Sequence, residues 1–243
     1  MSSQRYAMQS QWKELVALNF QIDPAVLQSY VPPGLQLDYF NDETFVSLIA
    51  VQLRNVRIWG LPLPVTRGFQ HVALRYYVKR RVGDEFRQGF CTIKSFVPSR
   101  FAAWVLHMVF KTEFSRTWMK SQVSGFGSPD ENEVPTVDYQ WKYQGETNRI
   151  RVRGRHRLQR GGMDSKMHFI LNKDYRYVVS RGTTLEYKVE WTPWDVWDAG
   201  HANFQCDSKS MFGAAFGKYL SRRPVSVYIG EQSIVNLYRP TVI

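Results

Sequence analysis

Phe69-Gln70-His71-Val72-Ala73-Leu74-Arg75-Tyr76-Tyr77-Val78 and Gly89-Phe90-Cys91-Thr92-Ile93-Lys94-Ser95-Phe96-Val97 decide the fold. Both runs are dominated by β-branched and aromatic residues, which pack well on a pleated surface, and Gly83-Asp84 lies between them. Glycine at the first of two turn positions suits a type II′ turn, so the spacing predicts a hairpin from Phe69 to Pro98. With Gly83 and Asp84 as the turn, Arg75 is expected opposite Thr92, Ala73 opposite Lys94 and His71 opposite Phe96.

Side chains alternate along a strand, so this register gives two unlike faces. Val72, Leu74, Tyr76, Cys91, Ile93 and Val97 share one. The other carries Phe69, His71, Arg75, Tyr77, Phe90, Thr92, Lys94 and Phe96, a cationic cluster framed by aromatics. Such a face suits the wall of a pocket for a small anion, and it also suits a solvated sheet surface. A one-residue bulge would reverse part of the pairing and break the cluster.

Outward from this hairpin, 243 residues are enough for a large core, and one composition regime runs throughout, so a single domain over residues 1–243 is expected, frayed over 1–10. Net charge is +11 and the isoelectric point about 9.7, which favours acidic partners without choosing among nucleic acid, anionic surfaces and small carboxylates or phosphates. Cys91 and Cys206 read as free thiols, and the polar start carries no signal-like segment, so the expectation is a cytoplasmic protein. The longest apolar run, Phe101 to Phe110, is too short to span a bilayer.

Before the hairpin, Trp12 to Phe20 reads as the first ordered segment, and Asp23-Pro24 opens a short helix with Asp as cap and Pro at its first position. Leu35 to Phe40 and Phe45 to Ile58 read as a second hairpin around Asn41-Asp42-Glu43. After it, Ser99 caps a helix to about Phe110 that is apolar on nearly every side and therefore expected to be buried. Gly125 to Pro135 reads as a loop, either lid or connector. Val137 to Tyr143 and Asn148 to Leu158 read as a third hairpin around Gly145-Glu146.

That third hairpin carries Arg149, Arg151, Arg153, Arg155 and Arg157 at period two. Five guanidinium groups on one face could follow a phosphate backbone, or form a solvated outer surface; with no nucleic-acid-binding motif beside them, nucleic acid is not the expected partner. Further on, Thr183 to Trp191 alternates with Leu185, Tyr187, Val189 and Trp191 inward. A short strand near Asn203 to Cys206, a helix from Ser208 to Leu220 and a last hairpin over Val225 to Tyr238 through Gly230-Glu231-Gln232 complete the chain. Strands outnumber helices about ten to three on this reading, a mainly β (α+β) protein. The five histidines have no ligand spacing, and no P-loop, dinucleotide fingerprint or nucleophile elbow occurs, so neither metal nor cofactor is expected.

Phe69 to Val78, with Val31-Pro32-Pro33-Gly34-Leu35-Gln36-Leu37-Asp38, Val97-Pro98 and Gly182-Thr183-Thr184-Leu185-Glu186-Tyr187, resembles the YqjF-like family of bacterial proteins in the acetoacetate-decarboxylase-like superfamily. The resemblance implies a single cone-shaped, largely antiparallel β-barrel with a central cavity and a few short helices. In the decarboxylase branch a lysine of lowered pKa forms a Schiff base, with a carboxylate and an arginine nearby. The equivalent stretch implied by the resemblance, Phe110-Lys111-Thr112-Glu113-Phe114-Ser115-Arg116, lacks the branch's lysine pair. His71 and Ala73 stand where the pattern has Glu and Asn. The leading expectation is thus a barrel binding a small organic anion, with His71, Arg75, Lys94, Tyr77 and Phe96 as ligand-binding residues. The enzymatic alternative takes Lys94 as nucleophile, and the surface alternative takes the arginine stripe; a homo-oligomer is compatible with each.

Overall fold

The computed structural model describes residues 6–64, 68–127, 133–158 and 165–243. In chain order, the first half comprises β1 (Tyr6–Ile22), α1 (Pro24–Gln28), β2 (Gln36–Leu37), β3 (Thr44–Ile58), β4 (Leu61–Pro62), β5 (Phe69–Val82), β6 (Glu85–Val97) and α2 (Arg100–Phe110). Next come β7 (Ser115–Arg116), β8 (Met119–Ser124), β9 (Thr136–Tyr143), β10 (Glu146–Arg153), β11 (His156–Arg157) and α3 (Ser165–Leu171). The last part holds β12 (Tyr175–Ser180), β13 (Thr183–Trp191), β14 (Val196–Asp198), β15 (Ala202–Gln205), α4 (Ser208–Phe212), α5 (Ala214–Leu220), β16 (Ser226–Tyr238) and β17 (Thr241–Val242).

Seven strands close a barrel in the order β16-β1-β3-β5-β6-β12-β13, the ring completed where Val189 to Trp191 pair with Val235 to Leu237 of β16. Its neighbours run antiparallel except β6 and β12, which are parallel through Tyr175 opposite Gly89 and Arg176 opposite Phe90. Closure gives every strand of the ring a neighbour on both sides, through short seams of two residue pairs at β6–β12 and three at β13–β16. Gly89 makes the parallel contact sterically feasible, since a Cβ there would lie 2.5 Å from the Tyr175 carbonyl oxygen and 2.5 Å from the Tyr177 ring.

Two cores follow from the strand period. Inward side chains such as Met8, Ile49, Tyr187 and Val235 fill the barrel, which α2 and α3 close with Leu106, Phe110, Ile170 and Leu171. Outward side chains, among them Val72, Leu74 and Val46, meet a second sheet, β15-β10-β9-β8, and helices α4 and α5 through Trp141, Ile150 and Phe216. The barrel strands between these layers are therefore apolar on both faces, and each large side chain so buried contributes about 1.5–3 kcal/mol.

Local signals hold where the chain closes on itself. The Asp23 carboxylate accepts from the Ala25 N–H with Pro24 following, and the Ser99 hydroxyl accepts from the Ala102 N–H at the start of α2. Gly83 has φ +60° in the turn joining Val82 to Glu85, as a type II′ first position requires.

Several expectations are corrected. β1 begins at Tyr6 rather than Trp12, so residues 6–10 are strand; residues 1–5 lie outside the described residues. Gln36 and Leu37 pair with Lys79 and Val78 of β5, while β3 pairs with β1, so residues 35–58 do not form a hairpin beyond the Phe40–Glu43 bridge. β10 stops at Arg153, and His156 and Arg157 pair instead with β14 in the barrel sheet. The last hairpin is one continuous strand, β16, against β1. Residues 208–220 form two helices, broken at Gly213 with φ +91°. α2 is buried on one side only: Phe101, Trp104 and Met108 form an exposed stripe. Of the loop from Gly125 to Pro135, residues 128–132 lie outside the described residues.

Candidate functional site

One irregularity decides which side chains enter the barrel. Arg75 faces Thr92 as the turn dictates, but Leu74 faces Lys94, Ala73 faces Ser95 and Val72 faces Phe96. Ile93 is the extra residue of a β-bulge, and beyond it the inward set of β6 changes parity. Phe90 and Thr92 point inward before the bulge, and Val97 does so after it. His71 is thereby set beside Ser95, with Nε2 3.2 Å from Ser95 Oγ, instead of opposite Phe96.

Lys94 and Phe96 are carried to the outer layer. Lys94 Nζ donates to the Tyr143 hydroxyl at 2.9 Å and to the Met211 carbonyl at 3.1 Å, and the Phe96 ring packs against Tyr143 and Phe212. The cluster expected from the unbroken register is therefore split. His71 and Arg75 remain together, Lys94 and Phe96 lie across the sheet, and Tyr77 is inside the barrel but behind the cavity. The Tyr77 ring stands 5.0 Å from Phe169, and its hydroxyl bonds Ser47 Oγ at 2.5 Å.

The barrel encloses a cavity of about 50 Å³. Its walls are mostly apolar, with Trp12, Phe90, Leu106, Phe110 and Trp191 among them, and its polar groups are His71, Thr92, Arg75 and Arg176. Arg75 is 4% and Arg176 8% exposed. Arg75 Nη2 donates to the Ile170 carbonyl at 2.8 Å, and Arg176 Nη2 to Thr112 Oγ1 at 3.3 Å. Each guanidinium also lies over an aromatic ring, Arg75 5.1 Å from the Phe90 centroid and Arg176 4.2 Å from that of Phe110. Among the described residues the Nε of neither finds a hydrogen-bond partner.

Among the described residues lining the cavity there is neither a carboxylate nor a lysine. The nearby acids are engaged elsewhere. Asp38 accepts from buried Lys173 at 2.8 Å, and Glu186 bridges Arg80 and Arg87 while accepting from the Tyr177 hydroxyl. Unpaired buried charge has consequences for titration. Desolvation pushes Arg176 down to about 10, which leaves it charged at neutral pH. His71 falls to about 3, first through desolvation and then through repulsion by Arg176 and Arg75, so it is neutral. Burial also lowers Lys173, opposed by Asp38, but Lys173 does not border the cavity.

Arg176 went unrecognised in the sequence. It sits in Tyr175-Arg176-Tyr177-Val178-Val179, where an arginine between aromatic and β-branched residues was the available signal. The arginine stripe is broken up: Arg149 pairs with Asp138 and Arg157 with Asp195 at 3.2 Å, while Arg151, Arg153 and Arg155 line an open surface groove with His201 and Glu133. Among the described residues no helix is long and apolar enough to cross a membrane, and no cluster of His, Cys, Asp or Glu could hold a metal.

A closed mainly antiparallel barrel, plugged by short helices around an internal cavity, is the acetoacetate-decarboxylase-like fold. The structure superposes on acetoacetate decarboxylase from Legionella pneumophila with a TM-score of 0.69 at 13% identity, covering 100% of this chain and 92% of the other. An acetoacetate decarboxylase-like enzyme from Sphingomonas wittichii RW1 gives 0.66 at 12% identity over 98% and 93%. The enduracididine biosynthesis enzyme MppR complexed with pyruvate gives 0.61 at 12% identity over 97% and 90%. The chain belongs to the DUF2071 family of uncharacterised conserved proteins, which it matches over residues 9–232. It is 31% identical over 74 residues to the uncharacterised protein YqjF of Bacillus subtilis, a match spanning 30% of this chain and only 31% of that relative.

Proposed function

We propose that the barrel cavity binds a small organic anion of carboxylate type between Arg75 and Arg176. One observation carries this reading: two buried guanidinium groups border the same cavity, and among the described residues the Nε of each lacks an acceptor and no lining carboxylate balances them. An uncompensated buried charge costs several kcal/mol, of order what a paired site would lose on removal of one partner, about 3–5 kcal/mol. A bound carboxylate returns that cost as charge-assisted hydrogen bonds.

Size and wall chemistry agree. A cavity of about 50 Å³ suits a small acid of a few carbons rather than a bulky ligand. Aromatic and aliphatic walls bury the carbon part, and neutral His71 and Thr92 supply orienting hydrogen-bond groups. A barrel of the same fold, MppR, is known with pyruvate, itself a small carboxylate. Isothermal titration of the whole chain with propionate tests the reading. Binding that weakens at least tenfold in Arg176→Met is expected, and no heat in the wild type with either propionate or a short diacid at millimolar concentration refutes it.

A further inference from the structure

The two arginines reach the cavity from opposite sides of one strand. Arg75 on β5 stands opposite Thr92 of β6, and Arg176 on β12 stands opposite Phe90 of the same strand. Adjacent strands are about 4.8 Å apart and successive residues rise about 3.3 Å, so two strands and two residues separate the Cα atoms by roughly 12 Å. The guanidiniums are also anchored on different elements, Arg75 to the Ile170 carbonyl of α3 and Arg176 to Thr112 beyond the end of α2. They are two separate points of attachment and not a single clamp.

Charge points the same way. Arg75, Arg176 and Lys173 are buried inside the barrel, and Asp38, bonded to Lys173, is the buried acid beside them. Glu186 is bound on the other face of β13 by Arg80 and Arg87, since its neighbour Tyr187 is the residue turned into the barrel. Among the described residues two positive charges are left over at the cavity, and a monoanion would neutralise only one of them.

We infer that the cavity is selective for a small dicarboxylate, one carboxylate on Arg75 and the other on Arg176, with the short carbon link lying against Phe90 and Phe110. This rests on the anion-binding reading and narrows it to a substrate class. The small cavity, about 50 Å³, favours a short diacid.

Calorimetric titration at matched ionic strength with malonate, propionate and sulfate separates the outcomes, since malonate and propionate have equal carbon number. Malonate is expected to bind at least tenfold tighter than propionate, and Arg75→Met or Arg176→Met to bring malonate within about threefold of propionate. Equal affinity for malonate and propionate in the wild type overturns the dicarboxylate inference while leaving anion binding intact. Sulfate binding tighter than malonate overturns the two-point geometry in favour of a compact dianion. No binding of any of the three removes both readings. If either methionine variant fails to fold, the wild-type malonate-to-propionate ratio decides alone.

Discussion

Arg75 and Arg176 bury their guanidiniums against one cavity from strands on either side of β6, and neither Nε meets an acceptor among the described residues. Such an arrangement opposes folding and favours a ligand, so stability and binding should respond in opposite directions to its removal.

Arg176→Met keeps much of the side-chain length over Phe110 and removes an unpaired charge. In anion-free buffer the variant is expected to gain about 1–3 kcal/mol in urea denaturation, because apolar replacement of poorly compensated buried charge is commonly stabilising. A loss of stability of that size would mean the guanidinium is paired in the free protein.

Acid stability should depend on His71. Its folded pKa of about 3 lies below the ordinary histidine value of 6.5, so between those values the unfolded chain binds the extra proton. The contribution of neutral His71 is complete above pH 6.5 and is lost as pH falls toward 3. Because His71 is only half-buried and borders the cavity, roughly 1 kcal/mol per pH unit is expected. Denaturation of His71→Gln from pH 7 to pH 4 should show a flatter loss than the wild type; parallel curves would assign the acid sensitivity to other groups.

Lys94 should be silent toward the cavity. Borohydride treatment with a keto acid, read by peptide mass spectrometry, is expected to leave Lys94 unmodified. Lys94→Met should leave propionate affinity within twofold while costing about 1–2 kcal/mol for the Tyr143 and Met211 oxygens it abandons. An adduct on Lys94 would require the bulge at Ile93 to be absent.

Gly89→Ala tests barrel closure. Its Cβ would sit 2.5 Å from backbone oxygen of β12, so the parallel pairing that places Arg176 must shift. A loss of about 1–3 kcal/mol, together with weaker anion binding, is expected from overpacking. An unchanged melting temperature would show that the β6–β12 junction is looser than described.

Features legible in the sequence were those fixed by near neighbours. The Gly83-Asp84 turn, the Asp23-Pro24 and Ser99 helix starts and the alternation in β13 depend on a few adjacent residues, and the resemblance supplied the closed barrel. What misled was chemistry with two structural uses. Gly230 read as a turn, but it lies in a straight strand because Trp194 fills its missing side-chain space, where a Cβ would come within 2.7 Å of the indole.

The candidate site was half legible for the same reason. His71 and Arg75 lie on the strand without the extra residue and keep their expected face, whereas Thr92-Ile93-Lys94 contains only residues that a regular strand accepts, so nothing local announces the bulge. Partners distant in sequence were hidden too. β2 joins β5 and β12 joins β6 through contacts that no hairpin spacing encodes, and Arg176 arrives with the second of these.

A crystal structure of the chain grown with saturating malonate tests the central claim most directly. The account predicts density for the anion inside the barrel, with carboxylate oxygens within 3.2 Å of guanidinium nitrogens of both Arg75 and Arg176, a contact range set by hydrogen-bond geometry. A barrel with no anion between those two side chains, or malonate held only at the Arg151 to Arg155 surface, would contradict it.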